Sequence, residues 1–340
     1  MARKFVLTGM RTTGQLHLGH YVGALKRWKE IQDGGQHECY FLLADVQALT
    51  THADRPELLT QSVIDVTKDW LAVGLDPSLP HVHFVLQSQV TERYELSALF
   101  MMIARYSEVM RNPTLKTELE KQDNASIGFM VYPVDQVADI YMVNPYPPQP
   151  GDEVLVPVGE DQVPHLEYAR DLADRFNRDY GSVFTPCKPL VGEVGRLVGT
   201  DGKAKMSKSL GNSIQLNDSA EEVEKKVMSM YTDPKHLRVE DPGDTENNPV
   251  FIYLRAFDPD QAGVEELATQ YRQGGLGDVP VKRRLVNVLN EFLEPIRARR
   301  AEVEKMDIGA IISEGTQAAR EACTPVVQAV REKMALVIPR

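Results

Sequence analysis

The chain has 340 residues, of which 42% are hydrophobic and 26% charged, the balance of an ordinary globular protein of roughly two domains. A formal net charge of −11 excludes recognition of nucleic acid through a general positive field, so such contact would need a local basic surface. The three cysteines are far apart, and no apolar run is long enough for a signal peptide or a membrane span. These features predict a cytoplasmic protein without membrane contact.

The first half of the chain alternates continuous apolar runs with amphipathic segments. Strands are predicted for KFVLTG (4–9), CYFLLAD (39–45), HVHFVLQSQ (81–89) and VLVPVGEDQ (154–162), and helices for HYVGALKRWKEIQDGG (20–35), residues 54–74 and HLEYARDLADRFNRDYG (165–181). This alternation indicates an α/β protein with a mostly parallel sheet covered on both faces. Ligands of such sheets bind beyond the carboxyl ends of the strands, where Gly9, Asp45, Gln87 and Gly159 fall.

The pattern changes near Lys188, and from the end of TDGKAKMSKSLGN (200–212) to Arg340 only helices and loops are predicted. A capping box, Ser219 to Glu222, precedes one helix. A late helix carries an apolar stripe formed by Val281, Leu285, Val288, Phe292 and Ile296. The predicted boundary near residue 195 separates an α/β domain (1–194) from a helical domain (195–306), and a last helix (about 307–340) can pack back on the first.

Two histidines, His17 and His20, lie three residues apart in QLHLGHYVGAL, between a predicted strand and a predicted helix. No metal site is predicted, because zinc needs a further ligand and neither HExxH nor a nearby cysteine is present. An isolated pair of this kind is most often two ordinary polar residues at a helix start. A glycine turn before a helix is nevertheless an anion site, where imidazoles could contact phosphate and Gly19 could pack against a flat base.

A second basic motif, KMSKS, occupies residues 205–209 and is surrounded by small and polar residues. Alone it could be a solvated loop. Two mobile ammonium groups would also suit a leaving pyrophosphate, because phosphoryl-type transfer depends on positioning and charge stabilisation. The combination of HLGH and KMSKS is specific, and both motifs are expected to converge on one nucleotide triphosphate.

These motifs, with HYVGALKRW (20–28), YPVDQVADI (132–140), VPVGEDQ (156–162) and VMSMYTDP (227–234), resemble the class I aminoacyl-tRNA synthetases, and among them the bacterial tryptophanyl type, over nearly the whole chain. The resemblance implies a Rossmann-like, doubly wound parallel sheet, a smaller all-helical anticodon-binding domain and a homodimer. It implies attachment of L-tryptophan to tRNA(Trp) through a tryptophanyl-adenylate, with release of AMP and pyrophosphate. The implied cofactors are ATP and Mg²⁺, the metal being held mainly by the ATP phosphates.

The resemblance also assigns residues to ATP. The catalytic candidates are His17, His20, Lys205 and Lys208. The ATP-binding candidates are Arg11, Thr12, Thr13, Gly19, His20, Gly159, Glu160, Asp161, Leu197, Lys205, Met206, Ser207, Lys208 and Ser209. The sequence departs from the family at Arg11-Thr12-Thr13, where Gln-Pro-Ser/Thr is usual, so a fixed positive charge replaces an amide.

The amino-acid pocket is assigned to Asp139, Tyr132, Gln136 and Gln162. Asp139 matches the family aspartate that accepts the indole N–H, and an acceptor is what this donor-only group requires. The spacing of Tyr132, Gln136 and Asp139 also matches tyrosyl enzymes, so these residues leave a tyrosyl-tRNA synthetase open. GALKRW, VPVGEDQ and SMYTDP favour tryptophan.

Two basic runs, 282–284 and 297–300, are interpreted either as tRNA phosphate contacts or as a solvated helix face with partners such as Glu294. Two further functional alternatives stay open at this stage. One is an adenylyl transferase that binds no RNA, which the helical domain argues against. The other is a catalytically weak RNA-binding or regulatory paralogue, against which the intact histidines and lysines argue.

Overall fold

The structure, a computed structural model, describes residues 3–120, 124–191, 197–203, 206–207 and 210–337. The strands are β1 (Lys4–Arg11), β2 (Glu38–Ala44), β3 (Val82–Leu86), β4 (Glu153–Val158) and β5 (Cys187–Val191). The helices of the first half are α1 (Leu18–His20), α2 (Lys26–Asp33), α3 (Asp45–His52), α4 (Pro56–Val73), α5 (Thr91–Ile103), α6 (Tyr106–Val109), α7 (Pro113–Leu119), α8 (Ile127–Tyr141) and α9 (Val163–Tyr180). Those of the second half are α10 (Ala220–Met228), α11 (Pro249–Phe257), α12 (Gln261–Gln273), α13 (Asp278–Val303) and α14 (Ile308–Lys333).

The described strands form one parallel sheet of order β3-β2-β1-β4-β5. The chain moves outward from β1 on one side and then returns to start the other side, so the sheet is doubly wound and Rossmann-like, as predicted. The strand order reverses between β1 and β4, and a ligand crevice forms at such a switch point. The four strands predicted from apolar runs are confirmed as β1 to β4, each within a few residues.

Strand β5 has no counterpart among the strands predicted from the sequence, and its residues pair with β4 from Val154↔Cys187 to Val158↔Val191. β5 is an edge strand, and its sequence CKPLV contains a lysine and a proline. An edge strand faces solvent and tolerates proline, so it lacks the continuous apolar run that marks the interior strands. The signal used for the other four strands is therefore absent from this one.

Helix α14 returns from the C-terminal end of the chain to the sheet and lies against β3. The hydroxyl of Thr316 accepts a hydrogen bond from the Leu86 N–H at 2.9 Å. A Cβ on the buried Gly315 would lie 2.4 Å from the carbonyl oxygen of Phe84, so only glycine allows this close approach. Helix α14 thereby covers the edge of the sheet that β3 would otherwise expose.

The second half is built mainly of helices packed around α13. The Ser219 capping box is present at the start of α10. Along α13, the buried apolar side chains are Val281, Leu285, Leu289, Leu293, Ile296 and Val303. Val288 and Phe292 of the predicted stripe are only partly buried. The apolar core of this helical part is continuous with that of α2, α4 and one sheet face. The expected domain boundary near 195 falls in 192–196, outside the described residues, and none of the described helices is long and apolar enough to cross a membrane.

Candidate functional site

The histidine motif follows β1 directly, where the chain turns into α1. His17 is the extended residue that caps this helix, and its main-chain N–H donates to Nδ1 of His20 at 3.1 Å. The two rings stack, with centroids 3.8 Å apart and an angle of 28° between their planes. From α1 the helix continues through a wider turn at Tyr21–Leu25 into α2. The motif is thus a packed imidazole pair at the start of one long helical element.

The described part of the KMSKS segment lies against the histidine motif. The buried Met206 places its sulfur 3.4 Å from the main-chain nitrogen of Gly19. A Cβ at Gly19 would lie 3.0 Å from the His17 ring and 3.5 Å from that sulfur, which leaves little room for any other residue. His17 also forms an antiparallel bridge with Gln215, just beyond the motif. The two motifs therefore meet, as expected from the sequence.

Three assigned residues of the KMSKS segment, Lys205, Lys208 and Ser209, lie outside what the structure describes. The same holds for the side chain of Asp161, which follows β4. Of the others, Ser207 donates its N–H to Oδ1 of Asn212 at 2.8 Å. The carbonyl of Leu197 accepts the Met206 N–H at 3.4 Å, so this ATP-binding candidate contacts the KMSKS segment.

A cavity of about 310 Å³ opens at the carboxyl ends of β1, β2 and β4, at the switch point of the sheet. Six residues assigned to the site from the sequence line it: Arg11, Tyr132, Gln136, Asp139, Gly159 and Gln162. Arg11 is exposed at its edge, whereas the neighbouring Thr12 is fully buried and its hydroxyl has no hydrogen-bond partner. Gly159 and Glu160 are exposed just after β4.

The carboxylate of Asp139 forms one wall of the cavity and is itself buried. Its Oδ1 lies 2.7 Å from Nε of Arg93, and its Oδ2 accepts a hydrogen bond from Nε2 of Gln87 at 2.8 Å. Arg93 has no exposed side-chain surface and also pairs with Asp135 at 2.6 Å. Each carboxylate oxygen has two lone pairs, so Asp139 can still accept a hydrogen bond from a ligand.

Opposing influences act on the protonation of Asp139. Its pKa is raised from 3.8 to about 7: burial raises it most, Arg93 and the Gln87 hydrogen bond lower it, and Asp135 raises it. The large cost of burying a carboxylate is thus only partly offset by one cation and one amide. The geometry with Arg93 is that of an ionised carboxylate held in a fixed orientation.

The other assigned pocket residues contribute polar atoms of different kinds. The hydroxyl of Tyr132 donates to Glu118 at 2.8 Å and lies 3.3 Å from Nε2 of His165. Burial and the neighbouring Glu118 raise the pKa of Tyr132 well above its usual range, so this hydroxyl stays protonated. The side-chain oxygen of Gln136 is buried without a hydrogen-bond partner, which leaves an acceptor available beside the cavity.

The sequence matches the family described as tRNA synthetases class I (W and Y) over residues 2–294. The chain belongs to this family. It is 44% identical over 344 residues to the Tryptophan--tRNA ligase of Clostridium longisporum (99% of this chain, 98% of that protein). It is 44% identical over 353 residues to that of Streptococcus pyogenes serotype M3, with 99% of each covered. The tryptophanyl-tRNA synthetase of Campylobacter jejuni complexed with ADP and tryptophan is 32% identical, with a TM-score of 0.82 over 97% of this chain and 99% of that one. The resemblance inferred from the motifs is confirmed.

Five of the six basic side chains in the two basic runs of α13 have partners within the chain. Lys282 donates to the carbonyls of Met228 and Met230, and Arg284 pairs with Asp258. Arg297 donates to the Asp218 carbonyl, Arg299 to that of Ala72, and Arg300 pairs with Asp69. Arg283 and Arg299 are exposed, and the other four basic residues of these runs are buried or half-buried. The partners named above lie on elements other than α13 and do not include Glu294, and contact of these runs with tRNA phosphates stays a prediction.

Three partners of the pocket residues have no signal of this role in the sequence. Gln87 and Arg93 contact Asp139, and Glu118 lines the cavity and contacts Tyr132. Each comes from an element other than α8, so no spacing within the chain connects it with Asp139 or Tyr132. In the sequence of a helix, a buried arginine such as Arg93 looks the same as an arginine on the surface. Only the packing of α5 on α8 shows that Arg93 is buried.

Among the described residues, no three His, Cys, Asp or Glu side chains lie close enough to hold a metal ion. The described cysteines, Cys39, Cys187 and Cys323, are all buried free thiols.

Proposed function

We propose that the protein attaches L-tryptophan to tRNA(Trp) in two steps. The tryptophan carboxylate attacks the α-phosphorus of ATP and displaces pyrophosphate, and the terminal ribose of the tRNA then takes the tryptophanyl group and releases AMP. The observation that carries the proposal is the similarity, over 99% of the chain, to proteins named Tryptophan--tRNA ligase. The cavity at the switch point supplies a site of the required kind.

The tryptophan side chain is proposed to enter the cavity with its indole N–H directed at Asp139. A buried carboxylate suits this task because it is an acceptor only, and a ligand without a matching donor would leave it unsatisfied. The unpartnered oxygen of Gln136 suits the substrate ammonium, and Gln162 lies in the same lining. Tyr132 is engaged with Glu118, so its ring rather than its hydroxyl faces the substrate.

ATP is proposed to lie along the start of α1 and the ends of β1 and β4. His17 and His20 would contact its phosphates, Gly19 its adenine, and Gly159 to Asp161 its ribose. Arg11, Thr12 and Thr13 form the turn beside the phosphates, and Arg11 supplies a fixed charge there. Lys205 and Lys208, with Met206, Ser207 and Ser209, would bring the charge that stabilises the leaving pyrophosphate. Leu197 would contact the adenine through its backbone.

Mg²⁺ is proposed to arrive with the ATP phosphates. The described residues offer no cluster of three His, Cys, Asp or Glu ligands, so the protein residues seen here do not form a separate site for it. When bound, the ion would screen the phosphate charge. Charge stabilisation from the chain itself then comes from Arg11 and the two KMSKS lysines.

The test is amino-acid-dependent ATP–pyrophosphate exchange with the purified protein, followed by charging of tRNA(Trp). Exchange is expected with tryptophan and not with tyrosine, and charging is expected to follow. Exchange with tyrosine alone would assign the protein to the tyrosyl type. Absence of exchange with either amino acid would overturn the proposal and favour a regulatory paralogue.

The protein is further proposed to be a cytoplasmic homodimer with an α/β catalytic domain (1–194) and a helical anticodon-binding domain (195–306). The large apolar side chains of Met102, Tyr106 and Ile127 are 73%, 74% and 77% exposed, and a second copy of the chain would cover them. Sedimentation should give twice the chain mass, and Ile127→Glu should shift it towards the monomer.

A further inference from the structure

The residue before the histidine motif is fixed by hydrogen bonds on both sides of its backbone. The Leu16 N–H donates to Oδ2 of Asp69 at 2.8 Å, and the Leu16 carbonyl accepts the Leu216 N–H at 3.0 Å. Two residues on, the Leu18 N–H donates to the Ile214 carbonyl at 3.0 Å. Ile214 and Leu216, which follow the KMSKS segment, lie in a loop, whereas Asp69 lies in the long helix α4.

Asp69 is a carboxylate with almost no contact with solvent, being 2% exposed. Its Oδ1 pairs with Nη1 of Arg300, near the end of α13. Arg300 is itself held by Asp65, whose carbonyl accepts from Nη1 at 3.2 Å and whose carboxylate lies 3.4 Å from Nη2. A buried carboxylate without a cation would be costly, so the orientation of Asp69 depends on Arg300.

These contacts form one connected path from α13 to the histidines. Helix α13 begins in the helical half at Asp278, and its last turns reach α4. Arg300 fixes Asp69, Asp69 fixes the Leu16 N–H, and the next residue is His17, whose ring stacks on His20. Leu16 is 2% exposed, so water does not readily replace the lost acceptor.

We propose that Asp69 and Arg300 are positioning residues for ATP use, because they set the place of His17 and His20 from helix α13. This inference rests on the proposed function, in which the histidines contact ATP. Neither side chain touches the cavity that is proposed to bind tryptophan. The pair therefore serves one of the two substrates and links its site to the helical half of the chain.

The variant Asp69→Leu/Arg300→Met removes the acceptor and both charges of this pair together, so that neither is left buried alone, and such apolar replacements are often neutral for stability. Asp65, which also binds Arg300, is half-buried and keeps its hydrogen bond from Gln61. In tryptophan-dependent ATP–pyrophosphate exchange, KM for ATP is expected to rise roughly tenfold, the effect of losing a buried hydrogen bond to a charged group. The Kd for tryptophan is expected to stay within about twofold of the wild type. A purely structural role would weaken both substrates alike.

Lys68→Met is the matched control. Lys68 precedes Asp69 on α4 and pairs with Glu304 at the end of α13, so it joins the same two helices without contacting Leu16. Lys68→Met is expected to leave KM for ATP unchanged. An equal rise in KM for ATP in Lys68→Met and in the double variant would overturn the proposal. If the double variant does not fold, Asp69→Asn takes its place, with the same split between ATP and tryptophan expected.

An unchanged KM for ATP in a folded variant would also overturn the proposal while leaving the proposed function intact. Absence of tryptophan-dependent exchange in the wild-type protein would instead contradict the proposed function itself. The two failures are therefore distinguished in the same assay.

Discussion

At the scale of single residues, the chemistry of the cavity depends on one buried carboxylate. Asp139→Asn keeps the shape of the side chain but removes its charge and exposes the indole N–H to an amide that can turn its own donor inward. We expect kcat/KM for tryptophan to fall by about 10- to 100-fold, the cost of losing a hydrogen bond to a charged group, with KM for ATP little changed. An equal loss for both substrates would place Asp139 outside the pocket.

The raised pKa of Asp139 gives this residue a distinct pH dependence. Its folded pKa is about 7 against an ordinary 3.8, so the ionised form, the better acceptor, is lost as pH falls through about 7. kcat/KM for tryptophan should fall over that range in the wild type, and Asp139→Asn should lack this limb. The free energy of unfolding depends on pH in the opposite sense. Between pH 3.8 and about 7 the folded protein holds a proton on Asp139 that the unfolded chain has released, so the contribution of Asp139 to the free energy of unfolding falls as pH rises through this range.

Arg93 is the cation that most lowers the pKa of Asp139, and Arg93→Gln removes it without removing either aspartate. The buried Asp139 and the half-buried Asp135 then lose their shared counter-charge, so we expect a loss of about 3–5 kcal/mol in the free energy of unfolding, measured with urea. The acidic limb for tryptophan should move to higher pH, because the largest lowering influence on the pKa of Asp139 is gone. Glu92→Gln is the control: its pair with Arg320 is partly exposed, and it should shift neither quantity strongly. An unmoved pH limb in Arg93→Gln would argue that Arg93 acts on packing alone.

At the scale of elements, helix α14 depends on a glycine where it crosses β3. In Gly315→Ala the new Cβ would lie 2.4 to 2.9 Å from main-chain atoms of Phe84, so the helix must move away from the strand. We expect a loss of about 1–3 kcal/mol in the free energy of unfolding, as for other overpacked sites. Gly309→Ala, at an exposed position of the same helix, is expected to be neutral or to stabilise by up to about 1 kcal/mol. Equal effects of the two substitutions would contradict the close approach.

Sequence patterns predicted those elements whose burial is continuous or periodic. The interior strands β1 to β4 and the capping box at Ser219 were predicted for this reason. β5 was missed because one edge of it faces solvent, and its lysine and proline hide the strand. The site divides in the same way: local motifs pointed to His17, Gly19 and Asp139, whereas Arg93 and Asp69 act through elements far away in the chain, and no local pattern encodes those contacts.

At the scale of the whole molecule, the two ends of the chain share one core. The buried side chains of α14, among them Ala319, Cys323, Val326 and Val330, belong to the same cluster as β2, β3, α5 and α8. Arg320 and Arg331 also pair with Glu92 and Glu95 of α5. The α/β half is therefore completed by the last helix, although the helical half lies between them in sequence.

A chain truncated after Met306 tests this arrangement. It loses the apolar burial of α14 and exposes the edge of β3, and an unpaired edge strand promotes aggregation. We expect it to be recovered mostly as insoluble protein, and any soluble fraction to bind tryptophan poorly because α5 and α8 lose their support. Truncation after Met334 keeps α14 intact and should preserve solubility and tryptophan binding. A soluble 1–306 chain with wild-type affinity for tryptophan would show instead that the catalytic core is complete without its C-terminal helix.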